Sequence, residues 1–294
     1  MSQTERVSPR SRQEAIAVIS EYGDKARVIA GGTDLLIQMK KKGVSPRIFI
    51  SFDAIGDLDY IRNDEKDGVR IGVLTTMRSL EHSPLLRSRF SALARSAATV
   101  GGWALRNRAT IGGNLCNASP AADTVPALMV LGAVLRIEGA GGERIVPVEE
   151  FFLGPGRTVL KPGQMLTEIH IPKLFPDQGT AYLRQTRTKG SDLAIVGAAA
   201  MVGMEEEIVS DVRIALGAVA PTPIRAATAE AILRGKKPTD QLLNEAGRAA
   251  AAASRPIDDL RGSAEYRRTV VPILVKRAVA QAIGQATGEA FACR

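Results

Sequence analysis

Two glycine-rich turns constrain this chain most, one at residues 30–34 (AGGTD) and one at residues 110–114 (TIGGN). Glycine permits positive φ angles and lets a ligand approach the backbone closely. Successive backbone N–H groups in such a turn form a concave site for an anion. Because both turns also carry hydroxyl, amide or carboxylate side chains, the pair predicts a clamp on the two phosphates of a dinucleotide.

Spacing alone leaves other interpretations of these turns open. Neither turn matches GxGxxG or GxxxxGK[ST], so the Rossmann fingerprint and the P-loop are both absent. A single Gly-Gly pair is most often a structural tight turn. The stretch 117–124 (NASPAADT) consists of small and turn-forming residues that can lie along an extended ligand, and this favours nucleotide binding.

The first turn is predicted to join a strand to a helix. Ser11 and Glu14 form a capping box that opens a helix, and Gly23 ends it. A short buried strand is predicted at 26–30, followed by a helix over 35–40 whose N-terminus favours phosphate. The other elements predicted before residue 172 are strands at 47–51, 69–74 and 165–171, a helix at 88–100, a hairpin over 133–148 and a loop at 151–158.

A domain boundary is predicted near residues 172–177, where two prolines and a turn interrupt the pattern. Beyond it the sequence predicts three consecutive strands and then three alanine-rich helices: strands at 180–186, 194–204 and 209–219, and helices at 224–233, 240–253 and 264–286. Strands followed by helices indicate an α+β layer. The predicted domains are therefore 1–175 and 176–294.

Histidines and cysteines are too few for several kinds of site. Cys116 and Cys293 are far apart and form no CxxC pair, so the chain's own thiolates cannot build a zinc ribbon or an iron–sulfur cluster. Two isolated histidines disfavour a metal site or a Ser-His-Asp triad. We therefore predict no metal site and no catalytic residue, and assign His82 to a turn and His170 to the outward side of a strand.

The composition is that of an ordinary globular protein, with 294 residues, 24% charged and 45% apolar. The net charge of +8 raises the question of nucleic-acid binding, but the basic residues are scattered and aromatic residues make up 4%, too few for base stacking. The dense run at 40–42 (KKK) is typical of a helix C-terminus. No apolar run reaches the roughly 20 residues that span a bilayer, and no secretory signal is visible. We expect no nucleic-acid partner, no membrane span and a cytoplasmic location.

Three stretches resemble the flavoprotein, or medium, subunit of the molybdenum hydroxylases, the family of xanthine dehydrogenase, carbon monoxide dehydrogenase and 4-hydroxybenzoyl-CoA reductase. They are residues 28–36 (VIAGGTDLL), 106–123 (RNRATIGGNLCNASPAAD) and 151–158 (FFLGPGRT). Their order and spacing are specific to this family. The resemblance extends from about residue 12 to about residue 286.

The resemblance implies an α+β protein with FAD as its cofactor. Its first part would have the two-subdomain FAD-binding fold of the vanillyl-alcohol oxidase type, followed by a three-stranded antiparallel sheet with helices. The two turns would hold the FAD pyrophosphate, Asp123 would contact the dinucleotide, and Arg184 would lie where relatives place a lysine near the isoalloxazine. The implied cofactor-binding residues are Ile29, Ala30, Gly31, Gly32, Thr33, Asp34, Gly101, Thr110, Ile111, Gly112, Gly113, Asn114, Asp123, Leu166 and Arg184.

The resemblance also implies an electron-relay function. A large molybdenum-cofactor subunit would act on the substrate, a small 2Fe–2S subunit would pass electrons to FAD here, and FAD would deliver them to NAD or another acceptor. The implied assembly is a dimer of heterotrimers. No insertion follows Asp123, which excludes the extra 4Fe–4S cluster of well-known 4-hydroxybenzoyl-CoA reductases.

Two other functions stay open from the sequence: a self-sufficient FAD-dependent oxidase or reductase, and a flavin-free scaffold of the same fold. The sequence leaves open the organic substrate, the electron acceptor, and whether Trp103, Tyr182 or Tyr266 touches the flavin.

Overall fold

The computed structural model describes residues 5–42, 46–188, 190–289 and 291. Within the lysine run at 40–42, the side chains of Lys41 and Lys42 lie outside the described part, and so does Cys293. In these described ranges, no helix combines the length and the apolar character needed to cross a bilayer.

A small parallel sheet with two helices forms the N-terminal part. Its strands are β1 (Glu5–Val7), β2 (Ala26–Ile29) and β3 (Ile48–Ser51), paired in the order β1–β3–β2. Helix α1 (Arg12–Tyr22) precedes β2, and helix α2 (Leu35–Lys42) follows it. The first glycine turn therefore joins a strand to a helix, which confirms that prediction.

Local sequence signals predicted where α1 begins and ends and where β2 lies, but they did not predict how exposed β2 is. Ser11 Oγ accepts a hydrogen bond from Glu14 N–H at 3.1 Å, and Gly23, with φ +47°, ends α1 before the 3₁₀ turn Gly23–Lys25. The prediction of a buried strand at 26–30 was wrong, because β2 is an edge strand and its Val28 is 40% exposed. One face of β2 is consequently open to a ligand.

A second, antiparallel sheet dominates the region up to residue 172. The strands here are β4 (Ile61–Asp64), β5 (Gly68–Gly72), β6 (Val134–Gly139), β7 (Gly142–Pro147), β8 (Phe152–Gly154), β9 (Arg157–Thr158) and β10 (Gln164–Pro172). Five of them pair in the order β4–β5–β10–β6–β7. Strands β8 and β9 pair as a small hairpin where a loop was predicted, after a 3₁₀ turn at Val148–Glu150.

Six short helices connect β5 to β6. They are α3 (Met77–His82), α4 (Pro84–Arg89), α5 (Ser91–Thr99), α6 (Trp103–Arg106), α7 (Ile111–Asn117) and α8 (Thr124–Val130). The second glycine turn forms the start of α7, so it is the first turn of a helix. The helix predicted at 88–100 is present, but Phe90 separates α4 from α5.

The C-terminal part is an antiparallel sheet followed by three helices, which confirms the predicted order of strands and helices. The elements are β11 (Gln178–Gln185), β12 (Val196–Glu205), β13 (Ile208–Gly217), β14 (Ile224–Arg225), α9 (Ala227–Leu233), α10 (Asp240–Ala253) and α11 (Ala264–Thr287). The three predicted strands are present, and β14 adds a two-residue strand where the start of a helix was expected.

The C-terminal sheet (β11–β14) is covered on both faces. Successive residues of a strand point to opposite faces, and β12 follows this rule: Ala199 and Met201 belong to the core of the first part, whereas Ala198 and Ala200 belong to the core shared with the C-terminal helices. Helices α5 and α8 contact one face, and α11 contacts the other. The division of the chain at residue 175 stays a prediction.

Candidate functional site

Both glycine turns line a single cleft of 680 Å³. Small-molecule sites in proteins typically measure roughly 300–1,000 Å³. The turns also touch each other, because a Cβ built on Gly31 would overlap the carbonyl oxygen of Arg108, just before the second turn. Gly31 is therefore required for the close approach of the two backbone segments.

The first turn presents unpaired backbone donors to the cleft. Within the described part of the chain, the N–H groups of residues 31–34 donate no hydrogen bond. Gly32 has φ +73°, and its carbonyl accepts the N–H of Leu36 as α2 begins. Partial desolvation by the cleft wall raises the pKa of the neighbouring Asp34 carboxyl. This geometry fits an anion at the start of α2.

The second turn differs from what its glycines predict. Thr110 Oγ1 caps α7 by accepting the N–H of Gly113 at 3.1 Å. Three further N–H groups of this turn donate to backbone carbonyls: Ile111 to Thr75, Gly112 to Val73, and Asn114 to Thr110. The prediction that both turns offer successive free N–H donors was wrong for the second turn, because α7 and the neighbouring β5–α3 connection use them.

Instead of successive free N–H groups, the second turn provides close packing at Gly112 and the side-chain amide of Asn114. A Cβ on Gly112 would lie 2.6 Å from Val73 Cβ, so glycine there lets α7 pack against that segment. Asn114 Oδ1 accepts a hydrogen bond from Thr124 Oγ1 at 2.6 Å, which fixes the side chain. Its NH₂ group has no partner among the described residues and remains available to a ligand.

Thirteen of the fifteen residues predicted to bind the cofactor line this cleft: Ile29, Ala30, Gly31, Gly32, Thr33, Asp34, Gly101, Thr110, Gly112, Gly113, Asn114, Asp123 and Leu166. The other two do not. Ile111 is fully buried in the core of the first part. Arg184 does not line the cleft. Its Nη1 donates to Asp123 Oδ2 at 3.1 Å, so the guanidinium pairs with Asp123.

Asp123 is a buried carboxyl at the cleft wall. It is 5% exposed, and its Oδ1 accepts a hydrogen bond from Tyr182 Oη at 2.6 Å. Burial raises the pKa of Asp123, while Arg184 and Tyr182 act in the opposite direction. Burial and the adjacent carboxylate raise the pKa of Tyr182 well above 10. The hydroxyl is consequently a hydrogen-bond donor at neutral pH.

Sequence reasoning missed several lining residues. Ser191, Asp192 and Leu193 reach the cleft from the segment between β11 and β12, beyond the predicted domain boundary. Leu193 is 56% exposed, and Asp192 pairs with Arg187 at 3.5 Å. No local pattern marks this segment, because its place depends on how the C-terminal sheet packs. The other missed residues include Phe52, Val73, Leu74, Val100, Leu105, Leu160, Gln164 and Met165.

The other candidate residues provide no acid–base pair at the cleft. Trp103, His82 and His170 lie outside its lining, and Cys116 lies within it. Trp103 is 69% exposed and stacks with the Arg78 guanidinium at 4.5 Å. His82 ends α3, and His170 on β10 bonds through Nε2 to the Asp67 carbonyl at 3.1 Å. Cys116 lines the cleft, and desolvation raises the pKa of its thiol to about 12.

Two family models match this chain. The FAD binding domain in molybdopterin dehydrogenase matches residues 2–174, which is more than half of the chain, and the CO dehydrogenase flavoprotein C-terminal domain matches residues 181–282. The chain belongs to the FAD-binding medium subunits of the molybdenum hydroxylases. This confirms the family resemblance, the fold class and FAD as the cofactor, and it makes the chain an oxidoreductase flavoprotein subunit.

Similar proteins cover nearly the whole subunit. The carbon monoxide dehydrogenase medium chain of Hydrogenophaga pseudoflava is 35% identical over 92% of this chain and 94% of its own length. The Escherichia coli putative xanthine dehydrogenase FAD-binding subunit is 29% identical over 94% of each. In the solved carbon monoxide dehydrogenase from H. pseudoflava, the matching chain superposes with a TM-score of 0.93 at 36% identity, covering 96% of this chain and 98% of that one.

In this medium subunit, the residues that line the cleft fit FAD. A dinucleotide pyrophosphate needs hydrogen-bond donors without competing side chains, and residues 31–34 provide them. The glycine contacts at residues 31 and 112 leave no room for a Cβ, so the backbone conformation there depends on glycine. The apolar residues that line the cleft include Val28, Leu105 and Leu166, and an apolar lining suits the rings of the cofactor.

We expect Thr110→Ala to lower the free energy of unfolding by about 1 kcal/mol, the usual cost of losing a helix N-cap. The change leaves the Gly113 N–H unpaired at the start of α7. Thr110→Ser keeps the hydroxyl and should retain most of the stability. Urea unfolding of the FAD-free subunit measures both variants, and equal losses for serine and alanine would contradict the capping role.

Proposed function

We propose that this medium subunit is an electron relay. It accepts electrons from a separate 2Fe–2S subunit and passes them to NAD or another acceptor, while the organic substrate is transformed on a molybdenum-cofactor subunit. The names of its relatives support this role, because they are medium chains or FAD subunits of dehydrogenases. The proposed partners are thus the large molybdenum and the small iron–sulfur subunits, as a dimer of heterotrimers.

The observation that carries the proposal is the chemistry of the cleft wall. Its described lining contains four titratable side chains: Asp34, Cys116, Asp123 and Asp192. Asp123 and Asp192 are already paired with arginines, and both histidines lie outside the lining. General acid–base catalysis on a substrate needs a titratable group with access to it and a matched pKa. A wall with this composition suits holding a redox cofactor more than transforming a substrate.

Bound FAD supplies the redox chemistry, as cofactors do in flavoenzymes. The chain's own residues bind and orient it. In this proposal the free N–H groups of residues 31–34 bind the pyrophosphate, and the Asn114 amide donates a further hydrogen bond. Gly101 and Leu166 shape the wall beside the cofactor. Leu193, exposed at the cleft, excludes water from part of its opening.

The test is anaerobic rapid mixing of the FAD-loaded subunit with its reduced iron–sulfur subunit. We expect loss of the oxidised-flavin absorbance on mixing, and no loss when the organic substrate alone is added. Direct reduction by the substrate would contradict the proposal and favour a self-sufficient oxidase or reductase.

The net charge of +8 predicts that association with an acidic partner surface weakens as salt is raised.

A further inference from the structure

A hydrogen-bonded cluster joins the cleft wall to the C-terminal sheet. Asp123 lies just before α8, whereas Tyr182 and Arg184 lie on β11. Tyr182 Oη donates to Asp123 Oδ1 at 2.6 Å, and Arg184 Nη1 donates to Oδ2 at 3.1 Å. Both carboxylate oxygens of a cleft-wall residue therefore depend on groups from the other part of the chain.

Glycines in the C-terminal sheet make room for this cluster. Arg184, Gly197 and Gly217 are neighbours in register across β11, β12 and β13. A Cβ on Gly197 would lie 3.0 Å from Tyr182 Oη, and one on Gly217 would lie 3.0 Å from Pro126 Cγ in α8. Gly197 and Gly217 thus accommodate the Tyr182 hydroxyl and the start of α8.

Thr124 connects this cluster to the side-chain amide of Asn114, which lines the cleft. Thr124 follows Asp123 directly, and its hydroxyl donates to Asn114 Oδ1 at 2.6 Å. On the other side, Ala121 and Ala122 line the cleft themselves. A shift of Asp123 therefore moves the segment 121–124 and the hydrogen bond that orients the Asn114 side chain.

We propose that Tyr182 is a positioning residue of the FAD site. With Arg184 it holds the Asp123 carboxylate and the segment 121–124 in the cleft wall, so contacts from the C-terminal sheet set the affinity for FAD. Arg184 also compensates the buried negative charge of Asp123. The inference rests on FAD binding and is independent of the route by which electrons arrive.

The first test replaces Tyr182 by phenylalanine in the full chain and titrates the FAD-free protein with FAD. A hydrogen bond to a charged group is lost and a buried oxygen is left unpaired, so we expect the FAD dissociation constant to rise about tenfold. Tyr60→Phe is the matched control, because Tyr60 Oη donates to Glu168 at 2.7 Å and Glu168 also bonds Arg70. That second cluster lies outside the cleft lining, so the FAD dissociation constant should stay unchanged.

The second test titrates Arg184 variants with FAD. Arg184→Met removes one of the two donors to Asp123, and because Arg184 lowers the pKa of Asp123, its loss also favours the protonated carboxyl. We expect the FAD dissociation constant to rise about tenfold. Arg184→Lys keeps a charged donor and should retain most of the affinity. Arg70→Met, in the Glu168 cluster, should leave the affinity unchanged.

The inference is overturned if Tyr182→Phe binds FAD as tightly as the parent while losing the same stability as Tyr60→Phe. That result would make Tyr182 a structural residue without influence on the site. If Tyr182→Phe does not fold, the arginine variants decide, since equal FAD dissociation constants for Arg184→Met and the parent also overturn it. Neither outcome depends on electron transfer from a partner, so the proposed function is tested separately.

Discussion

Replacing Gly31 by alanine is expected to remove most FAD binding. The new methyl group would overlap the Arg108 carbonyl oxygen, which belongs to the backbone and cannot rotate away. Relief requires the first turn to move away from residues 108–109, and this displaces the free N–H groups of residues 31–34. Overpacking of this kind costs about 1–3 kcal/mol, and at the upper end FAD binding weakens by about a hundredfold.

Gly141→Ala is the matched control for this prediction. Gly141 lies in the β6–β7 hairpin, and a Cβ there would meet nothing within 4 Å. FAD content after purification and the dissociation constant of the FAD-free protein measure both variants. We expect Gly141→Ala to match the parent. A Gly31→Ala protein that keeps the parent's affinity would contradict the close contact between the two turns.

Replacing Arg267 by methionine is expected to destabilise the subunit more than any surface change. Arg267 is 1% exposed, and Nη1 donates to the carbonyl oxygens of Ile195 at 2.7 Å and Ala218 at 2.9 Å. Nη2 donates to Asp259 Oδ1 at 2.7 Å. Methionine fills part of the volume but removes the donor to the Ile195 and Ala218 carbonyl oxygens, while Asp259 keeps its bonds to Arg261. A buried acceptor left unpaired costs about 1–3 kcal/mol, and two are affected.

Arg268→Met provides the comparison, because Arg268 is the next residue of α11 and is exposed. Surface changes of this type usually alter stability by less than about 0.5 kcal/mol. Urea unfolding followed by circular dichroism gives the free energy of unfolding for both proteins. Similar values for the two variants would contradict the role of Arg267 in joining α11 to Ile195, Ala218 and Asp259.

Local patterns predicted much of the fold. The Ser11–Glu14 capping box and Gly23 mark the ends of α1 because their effects act within a few residues. The three strands of the C-terminal sheet and the helices after them follow from runs of apolar and small residues. The hairpin of β8 and β9 was missed, because a stretch with two glycines and a proline reads as a loop when its partner strand is so short.

The site was predicted in outline, and its hydrogen bonding was not. Residues 30–34 and 110–114 were expected together from their composition and family resemblance. The sequence has no signal that Val73 and Thr75 accept N–H groups of the second turn, because these contacts form where the β5–α3 connection packs against α7. The Tyr182–Asp123 bond spans 59 residues and forms only when the C-terminal sheet docks onto α8.

The most direct measurement is the titration of the FAD-free subunit with FAD, followed by flavin fluorescence and calorimetry. The cleft formed by residues 30–34 and 110–114 predicts one FAD per chain, with binding retained by Gly141→Ala and largely lost in Gly31→Ala. A folded subunit that takes up no FAD, or a Gly31→Ala protein with the same stoichiometry and affinity as the parent, would contradict the account.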